Sequence, residues 1–310
     1  MSFKQKNREP LISIVIINWN KKHLIKQLLE SIIKKTSYKN YEITVVDNGS
    51  TDGSQSVIKR FKNVKLIENK SNLGFPKAAN IGIKNSKGNY FVLLNNDMEI
   101  VNSDWLENLL SVAMSDRRVG IVGPKLIFPS GKIQFAGGFV SDHVIIRGRN
   151  KDKDQCNDIV DVDYSTGLIT RELVDKIGLF DEDYSPGYFE DTDFCFRARF
   201  SGFRIMLTPK SIIIHKESET MKEFPRDYMY LVWRRNELKF FLTNISSPYL
   251  LLKIRYELIR LQSAVLHHQL RLFLKAYLIT LKNLRKILTD RIKRRWLLAK
   301  IESGTDKISS

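Results

Sequence analysis

The sequence has little cysteine and no long hydrophobic run. Cys156 and Cys195 are the two cysteines among 310 residues, which excludes a disulfide-stapled scaffold and favours a reducing compartment. No stretch of 18 uncharged apolar residues occurs, so we expect no membrane-spanning segment. The charged first residues run directly into a strand pattern, so we expect no signal peptide. Together these absences predict a cytoplasmic protein.

Acidic residues are scarce in the last quarter of the chain. Between Lys222 and Lys300 there are 18 Lys/Arg but 5 Asp/Glu, and the whole chain carries a net charge of +17. This asymmetry predicts an anionic partner, either a membrane surface, a nucleic acid or a phosphorylated substrate. Nucleic acid is disfavoured because the chain has no zinc motif, no aromatic-rich β surface and no recognisable recognition helix.

The first half of the chain alternates strand and helix patterns. Continuous apolar runs over 11–17, 41–46, 64–67 and 90–94 predict strands, and amphipathic spacing predicts helices between them. Further helices are expected over 105–114 (capped by Ser103 or Asp104), 171–177 and 191–201, short strands over 120–146, a flexible charged loop over 151–163, and a strand over 211–215. This order predicts an α/β fold with a mostly parallel twisted sheet.

Three of these four strands end in polar clusters, at Asn18 with Asn20, at Asp47, and at Asn95-Asn96-Asp97. Strand-end Asn and Asp often form turns only. In open α/β sheets, however, ligands bind outside the carboxyl ends of the strands. Carboxylate and amide oxygens also suit a hard divalent cation that holds substrate phosphates.

A second cluster, Glu190-Asp191-Thr192-Asp193, precedes a predicted helix. Its carboxylates fit helix capping, and repulsion between them also fits a general base with a raised pKa. His215 ends an apolar strand, where it is either a packed residue or a neutral metal ligand.

These pieces, in this order, resemble the family 2 glycosyltransferases, whose members have the nucleotide-binding GT-A fold. The resemblance runs from Ile12 to about Asn244 and is nearest to rhamnosyltransferase-like members. The matching segments are Ser13–Asn20, Val45–Ser54, Asn72–Phe75, Ala79–Gly82, Leu93–Asp97, Gly120–Lys125, Tyr188–Arg197 and His215.

The resemblance implies roles for individual residues. Asp97 and His215 would bind Mg²⁺ or Mn²⁺ on the donor diphosphate, and Asp191, paired with Glu190, would be the catalytic base. Asn95 stands where the family's metal motif has a first Asp, which leaves a single carboxylate for the metal. The residues that would bind the nucleotide sugar are Asn18, Trp19, Asp47, Gly74, Asn80, Asn95 and Asn96.

The implied activity is metal-dependent, inverting transfer of a hexose in surface polysaccharide synthesis. The donor would be a dTDP- or UDP-linked sugar, with rhamnose as the first choice, and the acceptor a glycan or a lipid-linked glycan. The competing hypotheses are a nucleic-acid-binding protein and an inactive glycosyltransferase-like scaffold.

We expect a catalytic domain over 11–244, a basic amphipathic helical arm over 245–303, and flexible tails at 1–10 and 304–310. Helical spacing relates Leu258, Leu261 and Val265, and again Leu274, Leu278 and Leu281. Such an arm fits peripheral contact with the inner face of the cell membrane. It equally fits packing on the catalytic domain or on a second subunit, so a homo-oligomer stays open.

Overall fold

The computed structural model describes residues 9–140, 146–148, 159–216, 224–245 and 247–302. The strands are β1 (Ile12–Asn18), β2 (Tyr41–Asp47), β3 (Val64–Glu68), β4 (Tyr90–Asn95), β5 (Met98–Ile100), β6 (Val119–Ile127), β7 (Ile133–Phe135), β8 (Gly138–Val140), β9 (Ile146–Gly148), β10 (Val160–Asp161), β11 (Leu168–Thr170) and β12 (Arg204–His215). The helices are α1 (Lys22–Lys35), α2 (Ser54–Ile58), α3 (Phe75–Lys84), α4 (Trp105–Ser115), α5 (Arg171–Ile177), α6 (Glu190–Phe200), α7 (Arg226–Asn244), α8 (Ser247–Leu266), α9 (Leu270–Lys282) and α10 (Leu284–Glu302), with a 3₁₀ turn at Glu182–Tyr184.

The main sheet has the order β10-β12-β6-β11-β4-β1-β2-β3. The pairs β1–β2, β2–β3, β1–β4 and β6–β12 are parallel, whereas β11 runs antiparallel between β4 and β6. The predicted α/β fold with a mostly parallel sheet is therefore confirmed. Because β1, β2 and β4 are parallel and adjacent, their polar carboxyl ends lie side by side.

The core lies on both faces of this sheet, because its central strands are apolar on alternate sides. In β1, Ile14 and Ile16 pack toward α1 and α4, while Val15 and Ile17 pack toward α3 and α6. Burial on both faces explains why the strand sequence is continuously apolar rather than alternating.

Several local predictions were wrong. The segment expected to hold short strands begins with the nine-residue β6, which contains Gly120 and Gly123. A Cβ on Gly123 would lie 1.7 Å from Ser165 Oγ, so this glycine marks close packing inside a strand rather than a turn. The last sheet strand, β12, begins at Arg204 rather than at 211. Asp104 is the N-cap residue of α4, as predicted, but its carboxylate accepts from Asn102 and makes no capping hydrogen bond.

Helix α7 was not predicted at all. Its buried positions include Arg234, Asn236, Glu237 and Lys239, so the apolar periodicity that identifies a helix in a sequence is missing. These polar groups are paired inside the protein. Arg234, for example, bridges Glu237 on its own helix and Glu257 on α8, and lies 5.0 Å from the ring centroid of Phe273 on α9.

The predicted C-terminal arm is a group of helices that packs on α7. Helices α9 and α10 contact α7, α8 contacts α9, and α10 also reaches α6. Among the described residues, no helix is both long and apolar enough to span a membrane. The boundary at residue 244 stays a prediction. Residues 1–8 of the first expected flexible tail (1–10), all of the second (304–310) and residues 151–158 of the expected loop lie outside the described residues.

Candidate active site

A cavity of about 490 Å³ opens at the carboxyl ends of β1 and β4, and its size suits a small-molecule ligand. Its lining brings together Asn95, Asn96 and Asp97 from the end of β4, His215 from the end of β12, and Asp191 from α6. Several of the side chains that the sequence marks for chemistry therefore share one cavity.

Asp97 and His215 are brought together by an antiparallel ladder between β5 and β12, in which Met98 lies opposite His215. His215 Nε2 is 3.3 Å from Asp97 Oδ1. This oxygen is buried and accepts no hydrogen bond from the part of the chain that the structure describes. A buried carboxylate oxygen without a donor is costly unless a ligand completes it.

Gln134 orients the His215 ring. Its Oε1 lies 2.9 Å from His215 Nδ1, and with an amide oxygen as the acceptor this contact is a hydrogen bond in the tautomer protonated at Nδ1. In the neutral ring the Nε2 lone pair then faces Asp97, as is typical of metal-binding histidines. One carboxylate oxygen and one imidazole nitrogen thus fit a divalent cation that takes its other ligands from phosphate and water.

The ends of β1 and β2 are joined by a buried hydrogen-bond network. Asn18 Nδ2 donates to Asp47 Oδ1 at 2.6 Å, and Asn96 Nδ2 donates to Asn18 Oδ1 at 2.9 Å. Asp47 also accepts from Ser50 and from Gln55. Asn18 and Asp47 are fully buried and do not line the cavity. These two side chains are therefore not accessible to the nucleobase of a donor, and they hold the strand-end loops together.

Asn80 also lies away from the cavity. Its side-chain amide donates to Phe180 O (2.9 Å) and to Glu182 (3.0 Å), and its Oδ1 accepts from Phe180 N (3.0 Å). Asn80 was expected to line the donor pocket, but it is not among the residues that line the cavity. Because both ends of the amide bind the segment before the 3₁₀ turn, Asn80 shapes the wall of the cavity from behind.

Trp19 and Gly74 do line the cavity. Trp19 stacks on Phe224, with ring centroids 5.2 Å apart. Gly74 has φ +83°, and a Cβ there would lie 2.5 Å from Pro186 Cα. Glycine is therefore required where the turn before α3 approaches the 185–188 loop.

Glu190 and Asp191 begin α6 at the opposite wall. Asp191 Oδ2 accepts a 2.5 Å hydrogen bond from Tyr164, and Oδ1 accepts from the Thr192 N–H at 2.7 Å. Burial raises the pKa of Asp191, and these hydrogen bonds oppose the rise. Burial, reinforced by Asp191, raises the pKa of Glu190 well above its usual range. The N-cap of the helix is Phe189, and both carboxylates lie in the first turn, where Asp191 satisfies the free N–H of Thr192.

The third carboxylate of the cluster faces the other way. Asp193 is fully buried and binds Arg197 Nε at 2.9 Å and the guanidinium of Arg294 from α10. Burial alone would raise the pKa of Asp193, but Arg294 and Arg197 hold it well below its usual range. The cluster is thus divided between a pair that faces the cavity and one residue that fastens α10 to α6.

Helix α7 holds the loop that forms one rim of the cavity. Asn236 Nδ2 lies within hydrogen-bonding distance of the carbonyls of Tyr184 (2.8 Å), Gly187 (2.8 Å) and Tyr188 (3.0 Å). Arg235 donates to the Ser185 carbonyl at 2.7 Å. The helix that sequence patterns missed therefore positions part of the site.

A second acidic group, Asp181, Asp183 and Asp290, lies outside the cavity. Lys239 binds Asp181 (2.7 Å) and Asp183 (3.0 Å), and Lys286 from α10 binds Asp183 at 2.5 Å. Protein cations already neutralise Asp181 and Asp183, and these ion pairs join α7 and α10 to the 3₁₀ turn.

Three cavity residues were missed by sequence reasoning, namely Gln134, Tyr164 and Phe224. Each lies in a segment without a local motif, and each acquires its role only through a partner distant in sequence. Ser165, Thr166 and Gly167 also line the cavity.

Comparison with known proteins finds a family and several relatives that match this chain. The family model described as "Glycosyl transferase family 2" matches residues 13–178. The O-antigen biosynthesis protein RfbC of Myxococcus xanthus is 27% identical over 231 residues, covering 69% of this chain and 18% of that protein. The chain spans less than a third of the length of the first curated relatives that it matches.

Two solved structures share the fold at low sequence identity. GalNAc-T7 with UDP, GalNAc and Mn²⁺ aligns with a TM-score of 0.57 and 17% identity over 80% of this chain and 55% of its own. The mannosyltransferase PcManGT from Pyrobaculum calidifontis, in complex with GDP-Man and Mn²⁺, aligns with a TM-score of 0.54 and 16% identity over 98% of this chain and 89% of its own. The architecture is therefore that of the GT-A glycosyltransferases.

Proposed function

Since the chain belongs to glycosyl transferase family 2, we propose that it transfers a sugar from a nucleotide-diphosphate donor to a hydroxyl of a glycan or lipid-linked acceptor. One observation carries the proposal. A single cavity holds both an Asp97–His215 pair suited to a divalent cation and a Glu190–Asp191 pair suited to accept a proton. A nucleic-acid-binding protein would have no use for either pair.

Asp97 and His215 are the residues that would hold Mg²⁺ or Mn²⁺. Support comes from the Asp97 oxygen that lacks a donor and from the His215 nitrogen that Gln134 turns toward it. When bound, the cation neutralises negative charge that develops on the departing diphosphate. The solved neighbours named above contain Mn²⁺. A carboxylate and an imidazole suit either of the two metals, so both are proposed.

Asp191 is the proposed base. Its carboxylate accepts the proton of the acceptor hydroxyl as that oxygen attacks the anomeric carbon from the side opposite the diphosphate. A single displacement of this kind inverts the anomeric centre and needs no covalent intermediate. Burial raises the pKa of Asp191 and makes it a stronger base than an exposed Asp, and the Tyr164 hydrogen bond favours its ionised form. Glu190, whose pKa is raised further, is best suited to stay protonated beside it.

We propose that Trp19 contacts the nucleobase of the donor and that Gly74, Asn95 and Asn96 line the donor side, because all four residues line the cavity. We propose a dTDP- or UDP-linked donor, with rhamnose as the first choice of sugar. A role in surface polysaccharide synthesis is supported by the O-antigen relative. With a lipid-linked acceptor, the enzyme would work at the cytoplasmic face of the membrane.

Calorimetric titration with dTDP, UDP and GDP, each with and without Mn²⁺ or Mg²⁺, tests the proposal. We expect one nucleoside diphosphate to bind, and to bind more tightly with metal. Asp97→Asn should abolish the metal dependence, whereas Asp104→Asn, a matched change outside the cavity, should leave it intact. Absence of binding by all three nucleotides, or equal metal dependence in both variants, would contradict the proposed site.

A further inference from the structure

Helix α9 exposes a row of leucines to solvent. Leu270, Leu274, Leu278 and Leu281, here called the leucine face, are 38%, 51%, 59% and 59% exposed. Single exposed leucines are ordinary, but a contiguous apolar row marks an interaction surface.

The helix divides into three sectors around its axis. At about 100° per residue, the leucine face occupies roughly one quarter of the circumference. Phe273, Ala276 and Thr280 are buried on the side that packs against α7. The exposed Arg271, Lys275 and Lys282 lie together at the outer edge of the leucine face. Exposed apolar side chains with a basic border are the pattern of a helix that lies in a membrane interface.

The two neighbouring helices also carry exposed apolar side chains. Leu258, Ile259, Val265 and Leu266 are exposed on the second half of α8, and Leu288 and Ile292 are exposed on α10. The end of α9 and the first turns of α10 form a shallow depression lined by Lys282, Arg285, Lys293 and Asp290, and by Lys286, which binds Asp183. Exposed apolar residues are therefore found on α8, α9 and α10.

The charge of this region has one sign. No Asp or Glu occurs in the sequence from Leu258 to Thr289, which contains six Lys/Arg. Arg260 and Lys286 bind Glu237 and Asp183, so the charge offered to a partner comes chiefly from the exposed cations of α9. A protein surface that binds a second copy of itself would bring these cations against one another, whereas anionic lipid headgroups neutralise them. Charge complementarity thus favours a bilayer over a dimer.

We propose that the leucine face and its basic border dock on an anionic phospholipid bilayer, with the leucines at the acyl boundary and the Lys/Arg side chains among the headgroup phosphates. The docking surface rests on the proposed function and deepens it, because it identifies the side of the enzyme that would meet a lipid-linked acceptor.

Helix α7 connects this surface to the cavity. Its Arg234 is held by Glu257 of α8 and lies over the ring of Phe273 on α9, while its Asn236 binds the cavity loop. A bilayer bound at the leucine face is therefore held in a fixed relation to the 185–188 loop.

The test is vesicle flotation of the full chain, without donor, on vesicles of phosphatidylcholine alone and of an equimolar mixture with phosphatidylglycerol. We expect binding to the anionic vesicles and weak or no binding to the neutral ones. Arg271→Gln/Lys275→Gln/Lys282→Gln should lower the partition coefficient about 100-fold, at roughly fivefold per charge. Leu274→Ser/Leu278→Ser should lower it at least about tenfold.

Matched controls change equally exposed residues elsewhere. Ile33→Ser/Met114→Ser removes two apolar side chains that are 48% and 61% exposed, and it should leave flotation unchanged. Lys34→Gln/Lys39→Gln/Lys62→Gln removes three exposed charges away from the arm, and it should have a much smaller effect than the α9 triple variant.

Three outcomes would overturn the proposal. They are no flotation on anionic vesicles, equal loss in test and control variants, or a dimer in light scattering that Leu274→Ser/Leu278→Ser converts to monomer. Nucleotide titration of the same preparations separates the two proposals. Protein that binds nucleotide but does not float refutes the docking surface alone, and protein that floats but binds no nucleotide refutes the proposed function alone.

Discussion

Replacing Tyr164 by Phe should shift the pH dependence of sugar transfer. The Tyr164 hydroxyl donates a 2.5 Å hydrogen bond to Asp191 Oδ2, and the two side chains meet at the wall of the cavity. This bond favours the ionised carboxylate, and it opposes the burial that raises the pKa of Asp191. Without it, the pKa of Asp191 should rise further.

The size of the shift follows from the difference between two hydrogen bonds. A bond to a charged acceptor contributes about 1.5–3 kcal/mol and a bond to a neutral acid about 1 kcal/mol, which leaves a difference of about 0.5–2 kcal/mol. At about 1.4 kcal/mol per pKa unit, the pKa of Asp191 should rise by about one unit. Transfer requires the ionised base, so the acid limb of kcat/KM should move to higher pH by that amount, with little change in the plateau.

The assay follows release of the nucleoside diphosphate across the acid range, with the nucleotide sugar identified by calorimetry. Tyr41→Phe, at the amino end of β2 and far from the cavity, is the control and should leave the profile unchanged. Asp191→Asn should lower kcat by about 10²–10⁴-fold and remove the limb. An acid limb that stays in place in Tyr164→Phe, or that survives in Asp191→Asn, would refute the assignment of Asp191 as the base.

Three further predictions concern the residues that support the site. Gln134→Ala should weaken Mn²⁺ binding in the presence of nucleotide about 10–100-fold, measured by electron paramagnetic resonance, and unchanged affinity would contradict the role of the glutamine. Gly74→Ala should weaken nucleotide binding in calorimetry, because the added Cβ would lie 2.5 Å from backbone of the cavity loop; wild-type affinity would show that this close approach is unimportant. Arg294→Gln should lower the free energy of unfolding by about 2–4 kcal/mol near neutral pH, measured by urea denaturation. The folded pKa of Asp193 is depressed, so its stabilisation is present above the ordinary Asp pKa and is lost as pH falls through the folded value; the cost of Arg294→Gln should therefore shrink in acid, and a cost independent of pH would contradict the ion pair.

The sequence alone determined the elements whose signal is local. Continuous apolar runs identified β1, β2 and β4, because strands buried on both faces have no polar alternation. Parallel pairing of these strands then placed Asn95, Asn96 and Asp97 at the edge where α/β sheets bind ligands. The resemblance to family 2 glycosyltransferases followed from motifs that are themselves short and continuous.

Tertiary structure decided which of these side chains face the cavity. The register between β5 and β12 brings His215 to Asp97, and Gln134 fixes the ring. In the sequence nothing distinguishes Asn80 and Asp47 from the residues that line the cavity. In the structure their side chains are hydrogen-bonded to other protein groups.

Helix α7 and the leucine face are two further features that sequence patterns alone do not predict. The inner side of α7 is polar because Arg234 and Asn236 find partners on other elements, so no apolar period marks it. The leucines of α9 are periodic, but periodicity does not say whether a neighbour covers them, and only the packing of α9 on α7 shows that they face outward. Pattern reveals what a segment can form, whereas long-range contacts decide which polar groups are satisfied and which surfaces stay open.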